Sequence, residues 1–551
     1  AQVGLQSPSP PASRPLRARH SMIPRAAKRG DGWGKEQRTS AGRRIVADLG
    51  LKGSEVTLRE EPWAAVLAVG ELGQRCDWSF AAADGDGGGA ELLRCPATGL
   101  RFVSTKNRQQ AKAEYLACEV RACEAMPSGR RFSDLPASLR LAARAMWRGV
   151  CDQGTDGPIP WLGLEDHWHS LSESRRGEFM GMGELCAGVV RRGLGEGAVH
   201  PPDALGAARL LAVIAVNAIC ITNEEFREIG LGLYLHASAF NHSEEPNCSQ
   251  SFDGRDLVVR ARTAVKKGEE LTITYAELAE SSRFRRAHLR VQYLFDPLEP
   301  GAGGMPAAGA VARRDGRLEE VLGRGAQGWE PLASGLAWSP EAGFVPAQGS
   351  GSAVASDTVL SWATELHELW REASHSGDDG RKLLAARKIW ETACLGDAQG
   401  AKWQLGVGHA LRLHVARAGM DLAIEAQSWA EAAAWARAVC KSEAEVYPNP
   451  WAVPACSLAR LAKLELYLGN FEAACAAGTR ALQTFGALGI DGSMGQEVRQ
   501  MLAQAGAEGH GRTQAMAEQR RQNKAAAVAE LADRPPEGRQ DAVGIDFGML
   551  D

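Results

Sequence analysis

From Gly42 the chain reads as strands. Val46, Leu49 and Leu51 lead into the turn Lys52-Gly53-Ser54, and Val56-Thr57-Leu58 then alternates with polar positions, which predicts a half-buried hairpin. The period lengthens at FSDLPASLRLAARAMW. There Ser133 or Asp134 is placed to cap a helix with Pro136 near its first turn, and Leu139, Ala142, Ala143 and Met146 make its apolar face. Helical segments follow around Arg175–Arg192 and Asp203–Ile214. Between Asn217 and Tyr275 short apolar runs of strand character surround Asn241-His242-Ser243, and Leu271–Tyr275 reads as a strand after the turn Lys266-Lys267-Gly268. From Asp357 to about Ala507 the period is helical again, with helices over 357–373, 380–395, 399–418, 422–445, 454–468, 470–487 and 493–506. Its best internal unit is Leu458–Leu482, two helices flanking Gly469-Asn470 with small Ala residues at the crossing.

Composition fills the gaps between these patterns. Residues 1–38 are rich in Arg, Ser, Pro and Ala, and up to Arg44 ten basic residues stand against Asp31 and Glu36, a net +8. They read as a disordered basic arm, with an organelle transit peptide as the second reading. The Gly/Asp-rich stretch from Ala81 to Ala90 is a loop, residues 300–352 a Gly/Ala/Pro-rich exposed connector with a short helical patch at RRDGRLEEVL, and the tail beyond 508 a helix followed by disorder. Over all 551 residues the formal charge is only −4, so nothing global points to nucleic acid. Twelve cysteines in so long a chain make no disulfide framework. A reducing compartment, cytoplasm or nucleus, is the expectation, with a plastid or other organelle left open by the arm. The run LLAVIAVNAICI from Leu210 is too short to span a membrane and reads as core.

Taken singly, the polar residues of the middle block are ordinary. Asn217 reads as a helix C-cap, Asn241-His242 as a turn, and Tyr275 as a strand residue that packs its ring and leaves its hydroxyl at the surface. Glu165, His167 and His169 cluster in LEDHWHS, but they lack a third firm ligand and i, i+4 spacing, so a solvated loop is the better reading.

Taken together, NAICITNEEFREIGLGLYLHASAFNHSEEPNCSQSFDGRDLVVRARTAVKKGEELTITY resembles, without a gap, the catalytic core of the SET- and MYND-domain (SMYD) family of lysine methyltransferases. The resemblance implies an α+β multidomain chain. It would comprise the disordered arm (1–38), a SET N-terminal lobe (39–70), a degenerate MYND-like insertion (71–126) and a helical insertion (127–215). A SET core with a knot-like thread (216–298), a linker (299–356), an all-α tetratricopeptide-like domain (357–507) and a flexible tail (508–551) would follow. It further implies S-adenosyl-L-methionine as cofactor and a protein lysine as substrate. Asn217, Ser238, Phe240, Asn241 and His242 would bind the cofactor and Tyr275 would be catalytic, its hydroxyl near the transferring methyl. Tyr293 and Phe295, in QYLF, fall where the family has a second channel tyrosine and an aromatic against the adenine. Gly42 and Arg43 stand in the family's Gly-x-Gly cofactor turn, but Arg44 replaces the second glycine and can serve only if that position needs no positive φ.

Both zinc modules of the family depart from pattern. In the MYND stretch Cys76 is followed by Ser79 and Cys95 by Thr98. Asn107 and Tyr115 occupy ligand positions, and Cys118 and Cys123 pair with no earlier cysteine. Single thiols per half-site do not hold zinc. The four ligands of the post-SET site are replaced together by Glu244, Pro297, Glu299 and Ala302. No structural zinc is expected, and the channel wall must be built otherwise or left mobile. A competing reading is a non-catalytic SET and repeat scaffold that binds a protein partner through its helical domain.

Overall fold

The computed structural model describes residues 34–39, 42–82, 92–126, 131–152, 160–195, 203–297, 308–325, 328–332, 335–347, 357–395, 401–490, 492–507 and 522. The architecture is mixed α+β. Small, mostly antiparallel sheets form a core with a helical layer against it, and a larger helical array occupies the C-terminal half.

Strand Gly34–Thr39 pairs antiparallel with Gly42–Ala47. The end of the basic arm is therefore ordered, and the disordered reading of residues 34–38 is corrected. Close approach holds it: a Cβ on Gly34 would lie 2.4 Å from the Ile45 side chain, so only glycine fits. The hairpin expected around Lys52-Gly53-Ser54 does not form either. Ser54 turns the chain at φ 71°, and Val56–Glu60 pairs instead with Asp256–Ala261, which pairs in turn with Cys248–Asp253. Leu58 and Val259, both buried, face the shared core of Ile45, Leu67, Ile221, Phe240 and Leu271, which a hairpin alone could not have enclosed. A second three-stranded sheet joins Ala64–Leu67, Glu228–Leu233 and Ala218–Thr222.

Helices Ala137–Asp152, Glu173–Leu194 and Ala204–Asn217 cover this core. The Asp203 carboxylate accepts the Gly206 N–H at 2.6 Å and Ser172 accepts that of Arg175, so each helix starts at a true cap. Ser133 and Asp134 do not cap the first of the three. They lie in a separate short turn, where Asp134 accepts the Arg131 N–H, and the first helical carbonyl is that of Pro136. Leu139, Ala142, Ala143 and Met146 are buried as their period requires.

The MYND-like stretch keeps its helical shape over Thr105–Ala111 and Ala117–Glu124, joined by a wider turn at Lys112–Leu116. Its interior is ionic. Arg144 lies 2.9 Å from both Asp77 and Glu119, Tyr115 donates to Asp77 at 2.5 Å, and the guanidinium sits 3.8 Å over the Tyr115 ring. Among the described residues no group of three or more His, Cys, Asp or Glu side chains has the geometry to hold a metal.

The connector reading of 299–356 is corrected too. Helix Ala308–Leu318 is followed by strand Val321–Gly325, which pairs with Gly328–Pro331 and Trp403–Leu405, and by the hairpin Leu336–Ser339 with Gly343–Pro346. Leu318, Val321, Leu336 and Trp338 are buried in the C-terminal core. Gly and Pro at the turns hid these four-residue strands from composition. Trp403–Leu405 also displaces the helix expected over 399–418, which instead runs Ala410–Glu425 behind a His409 cap. Helices Asp357–His375, Asp379–Ala393, Ala452–Tyr467, Phe471–Leu488 and 493–507 follow the expected segments closely, whereas the helix expected over 422–445 starts only at Trp429 and runs to Val446, residues 422–425 closing the helix before it.

The two halves are keyed together by side chains. Arg260 donates to the Gly489 carbonyl, Arg460 pairs with Glu225 at 2.8 Å, Ser493 donates to Glu224, and the Tyr447 hydroxyl donates to Glu277 at 2.5 Å. No described helix is long and apolar enough to cross a membrane.

Candidate active site

The site forms where Asn241–His242 pairs, as a parallel two-residue strand, with Thr272–Ile273. Parallel neighbours need a crossover between them, here the stretch that holds strands Cys248–Asp253 and Asp256–Ala261, and the Ser243 N–H continues the ladder by donating to the Ile273 carbonyl. Asn241 cross-links three segments: its amide donates to the Arg43 carbonyl at 3.1 Å and to Glu270 at 2.7 Å. Arg43 reaches back to Ser238 at 3.0 Å, and Ser238 donates to Leu235. Arg43, Ser238 and Asn241 thus converge at the mouth of the turn.

Gly42 has φ 113°, and a Cβ there would meet nothing within 4 Å. The turn therefore needs glycine for its backbone and opens onto free space. Arg44 is not among the residues with positive φ, so its side chain is tolerated, and it donates to Gln37.

His242 is buried. Its Nδ1 accepts the Tyr275 backbone N–H at 3.0 Å, which leaves the proton of the neutral ring on Nε2. Nε2 faces the Glu244 carboxylate at 3.8 Å, an ion-pair distance too long for a hydrogen bond, and has no hydrogen-bond partner. The Tyr275 hydroxyl donates to the Phe240 carbonyl at 2.5 Å. Around it stand Tyr293 at 4.7 Å between ring centroids, His242 at 5.5 Å and Phe295 at 6.5 Å. Burial pushes both phenols above the usual range, reinforced at Tyr275 by its neighbour Tyr293, so both are neutral hydroxyls at physiological pH.

The structure thus gathers Arg43, Ser238, Phe240, Asn241, His242, Tyr275, Tyr293 and Phe295 into one neighbourhood with Gly42 at its edge. Asn217 stands apart. It closes helix Ala204–Asn217, and its amide donates to the Val213 and Glu165 carbonyls at 2.8 Å each. It joins the site through its helix, whose Ala215 carbonyl accepts from Gln292 beside Tyr293. His167 and His169 sit in the Glu165 loop away from this cluster, with His167 ion-paired to Glu165.

Three supporting residues had no motif to betray them. Glu60, buried at the end of its strand, accepts the N–H groups of His236 and Ala237 and so fixes the turn that presents Ser238. Burial raises its carboxyl, against the pull of His236. Glu270 holds Asn241. Arg285, fully buried on helix Ser282–His288, binds Glu244 at 2.9 Å. No local pattern marks them: Glu60 adjoins Glu61, Glu270 adjoins Glu269, and Arg285 stands in the basic run Arg283–Arg286, so each reads as a surface charge.

A family model describing the SET domain matches residues 103–276. The mouse histone-lysine N-methyltransferase SMYD3 is 29% identical over 259 residues, 46% of this chain and 57% of that protein. The Arabidopsis thaliana histone-lysine N-methyltransferase ASHR1 is 24% identical over 261 residues, 46% of this chain and 51% of that protein. The chain spans a little over half the length of these curated relatives. The solved SET domain of LSMT, bound to lysine and AdoHcy, aligns over 87% of both chains at 12% identity with a TM-score of 0.25, too loose to argue from. Residues 103–276 thus match a SET domain, and the chain is similar to SET- and MYND-domain (SMYD) proteins over about half its length.

Proposed function

We propose that the chain is a protein-lysine N-methyltransferase that uses S-adenosyl-L-methionine. The observation that carries this reading is the convergence of the Gly42-Arg43 turn, Asn241-His242 and Tyr275 on one open, partly aromatic site. The donor set fits the cofactor: a guanidinium and amide for its amino-acid end, exposed backbone at Gly42, and the faces of Phe295 and Tyr293 for its rings. When bound, S-adenosylmethionine supplies a methyl carried on a sulfonium. A lysine amine in the channel would take that methyl as the carbon–sulfur bond broke to leave a neutral thioether, and would give up one proton.

This chain's residues align the partners and exclude water. Tyr275, held at both its N–H and its hydroxyl, and the tilted neighbouring ring of Tyr293 make a narrow wall that an alkyl amine can follow. A desolvated channel disfavours the ammonium form, which leaves the lysine as the nucleophilic amine. Neutral phenols orient that amine by hydrogen bonds; they are not bases. Tyr275 and Tyr293 are the catalytic pair of this reading, and Gly42, Arg43, Ser238, Phe240, Asn241, His242, Tyr275 and Phe295 the cofactor set, with Asn217 supporting it from the end of its helix.

The C-terminal helices support a tetratricopeptide-like reading, with antiparallel pairs crossing on small residues at Ala452–Tyr467 and Phe471–Leu488. Such an array offers a protein partner a docking face. The ion-paired interior of the MYND-like stretch supports a fold that needs no structural zinc, which elemental analysis tests.

Calorimetry should show S-adenosylmethionine binding, and labelled-methyl transfer to a protein lysate should be lost in Tyr275→Phe with cofactor affinity retained. Absence of cofactor binding overturns the enzyme reading and leaves the scaffold.

A further inference from the structure

Directly after Asn241-His242-Ser243, Glu244 enters a buried ionic network. Arg285 contacts its carboxylate through Nε and Nη2, each at 2.9 Å, and Arg314 at 3.0 Å. Arg285 also binds Asp315 at 2.7 Å and the Glu280 carbonyl, while Arg314 binds the Glu244 carbonyl at 2.9 Å and Glu245 at 3.1 Å. The side chains of Arg285 and Arg314 are 0% and 3% exposed. Two guanidiniums already converge on the one carboxylate, and Pro297 offers no donor, so these residues do not fit a zinc ion.

The connectivity is specific. Glu244 sits beside the segment whose His242 holds the Tyr275 backbone. Arg285 lies on helix Ser282–His288, which runs on into the turn Leu289–Tyr293 that presents Tyr293. Arg314 and Asp315 lie on helix Ala308–Leu318, beyond the channel in sequence. The same turn is held at its other end by Asp296, which pairs with Arg286 at 2.8 Å and with Arg290. One fully buried cation thus joins three separate segments: its own helix, which leads into Tyr293, the Glu244 segment, whose His242 holds the Tyr275 backbone, and helix Ala308–Leu318.

We propose that Glu244 and Arg285 are the positioning residues of the substrate channel, a metal-free brace that sets the distance between the Tyr275 and Tyr293 walls and ties both to helix Ala308–Leu318. A buried arginine with three partners is strongly directional, because its planar fork fixes angle as well as distance. The brace stands on geometry alone; its kinetic consequence rests on the methyltransferase reading.

Hydrogen exchange of the full chain, without cofactor or substrate, tests it. In Arg285→Met the amides of residues 282–293 should exchange at least about ten-fold faster, with those of 452–488 unchanged. Arg285→Lys should fall between, keeping the charge but not the fork. Should Arg285→Met not fold, Glu244→Gln reads the same amides from the other side of the pair. Treating the wild type with EDTA should change nothing there. Unaltered exchange at 282–293, acceleration spread evenly along the chain, or acceleration by EDTA alone overturns the brace. In transfer assays Arg285→Lys should raise KM for the protein substrate several-fold and leave the cofactor Kd within about two-fold. If the wild type transfers no methyl while the exchange result holds, the methyltransferase reading fails and the brace stands.

Discussion

Glu119 offers the sharpest test of how the MYND-like stretch is held. It shares one guanidinium, Arg144, with Asp77, and both carboxylates are within 2.9 Å of it. Two anions, all but inaccessible, share that one direct cation, with the buried Arg140 guanidinium acting on Glu119 only more weakly. Burial and the Asp77 charge outweigh Arg144, and the Glu119 carboxyl is pushed up to about 7. An acid raised in the folded state binds a proton that the unfolded chain has released. Stability from this group is therefore complete below about 4.5 and declines as pH rises to about 7, by ~1.4 kcal/mol per unit, or about 3 kcal/mol in all. Above that the dependence is flat. Glu119→Gln keeps the shape and an acceptor for Arg144 but never ionises. Urea pulse proteolysis of both proteins across this range, following the fragment around residues 105–152, should show little difference near pH 4.5. By pH 7.5 the variant should be about 3 kcal/mol the more stable. A difference that stays constant with pH, or that favours the wild type as pH rises, refutes the shared-cation argument.

Other consequences can be measured directly. Asn241→Ala removes the ties to Glu270 and the Arg43 carbonyl, each worth about 1 kcal/mol or more with a charged partner, and should weaken S-adenosylmethionine at least about ten-fold by calorimetry. An unchanged Kd would detach Asn241 from the cofactor. Gly42→Ala forces a side chain into φ 113° at a cost of about 1–3 kcal/mol and should lower cofactor affinity with no steric clash to blame; wild-type affinity would show that the turn can relax.

The site was legible where a short motif sets its own geometry. Asn241-His242-Ser243 and ELTITY mark residues that act through backbone and adjacent side chains, so their order in the chain nearly determines their pairing. Asn217 was only half legible, since its amide serves the helix end and the Glu165 loop, a long-range contact that no local pattern encodes. The network of Glu244, Arg285, Arg314 and Asp315 was not legible as a network. The sequence showed an acid where a metal ligand is expected, but the partners lie 41 and 70 residues away and each alone resembles a solvated charge. The fold followed the same division. Long helices announced themselves by period, while the four-residue strands at Val321–Pro346 were masked by the glycines and prolines that turn them.

One junction has a practical consequence for anyone who would take this molecule apart. Leu278 and Ala279, three and four residues beyond Tyr275, are buried in the apolar core of the C-terminal helices, next to the Glu277–Tyr447 hydrogen bond. The strand that ends in the active site therefore finishes inside the other half of the protein. A fragment cut at the apparent boundary near residue 357 would expose that apolar patch and strip the last turn after Tyr275 of its support. The SET-like and helical halves are thus inseparable for dissection, and only the full chain is a fair subject for any assay of transfer.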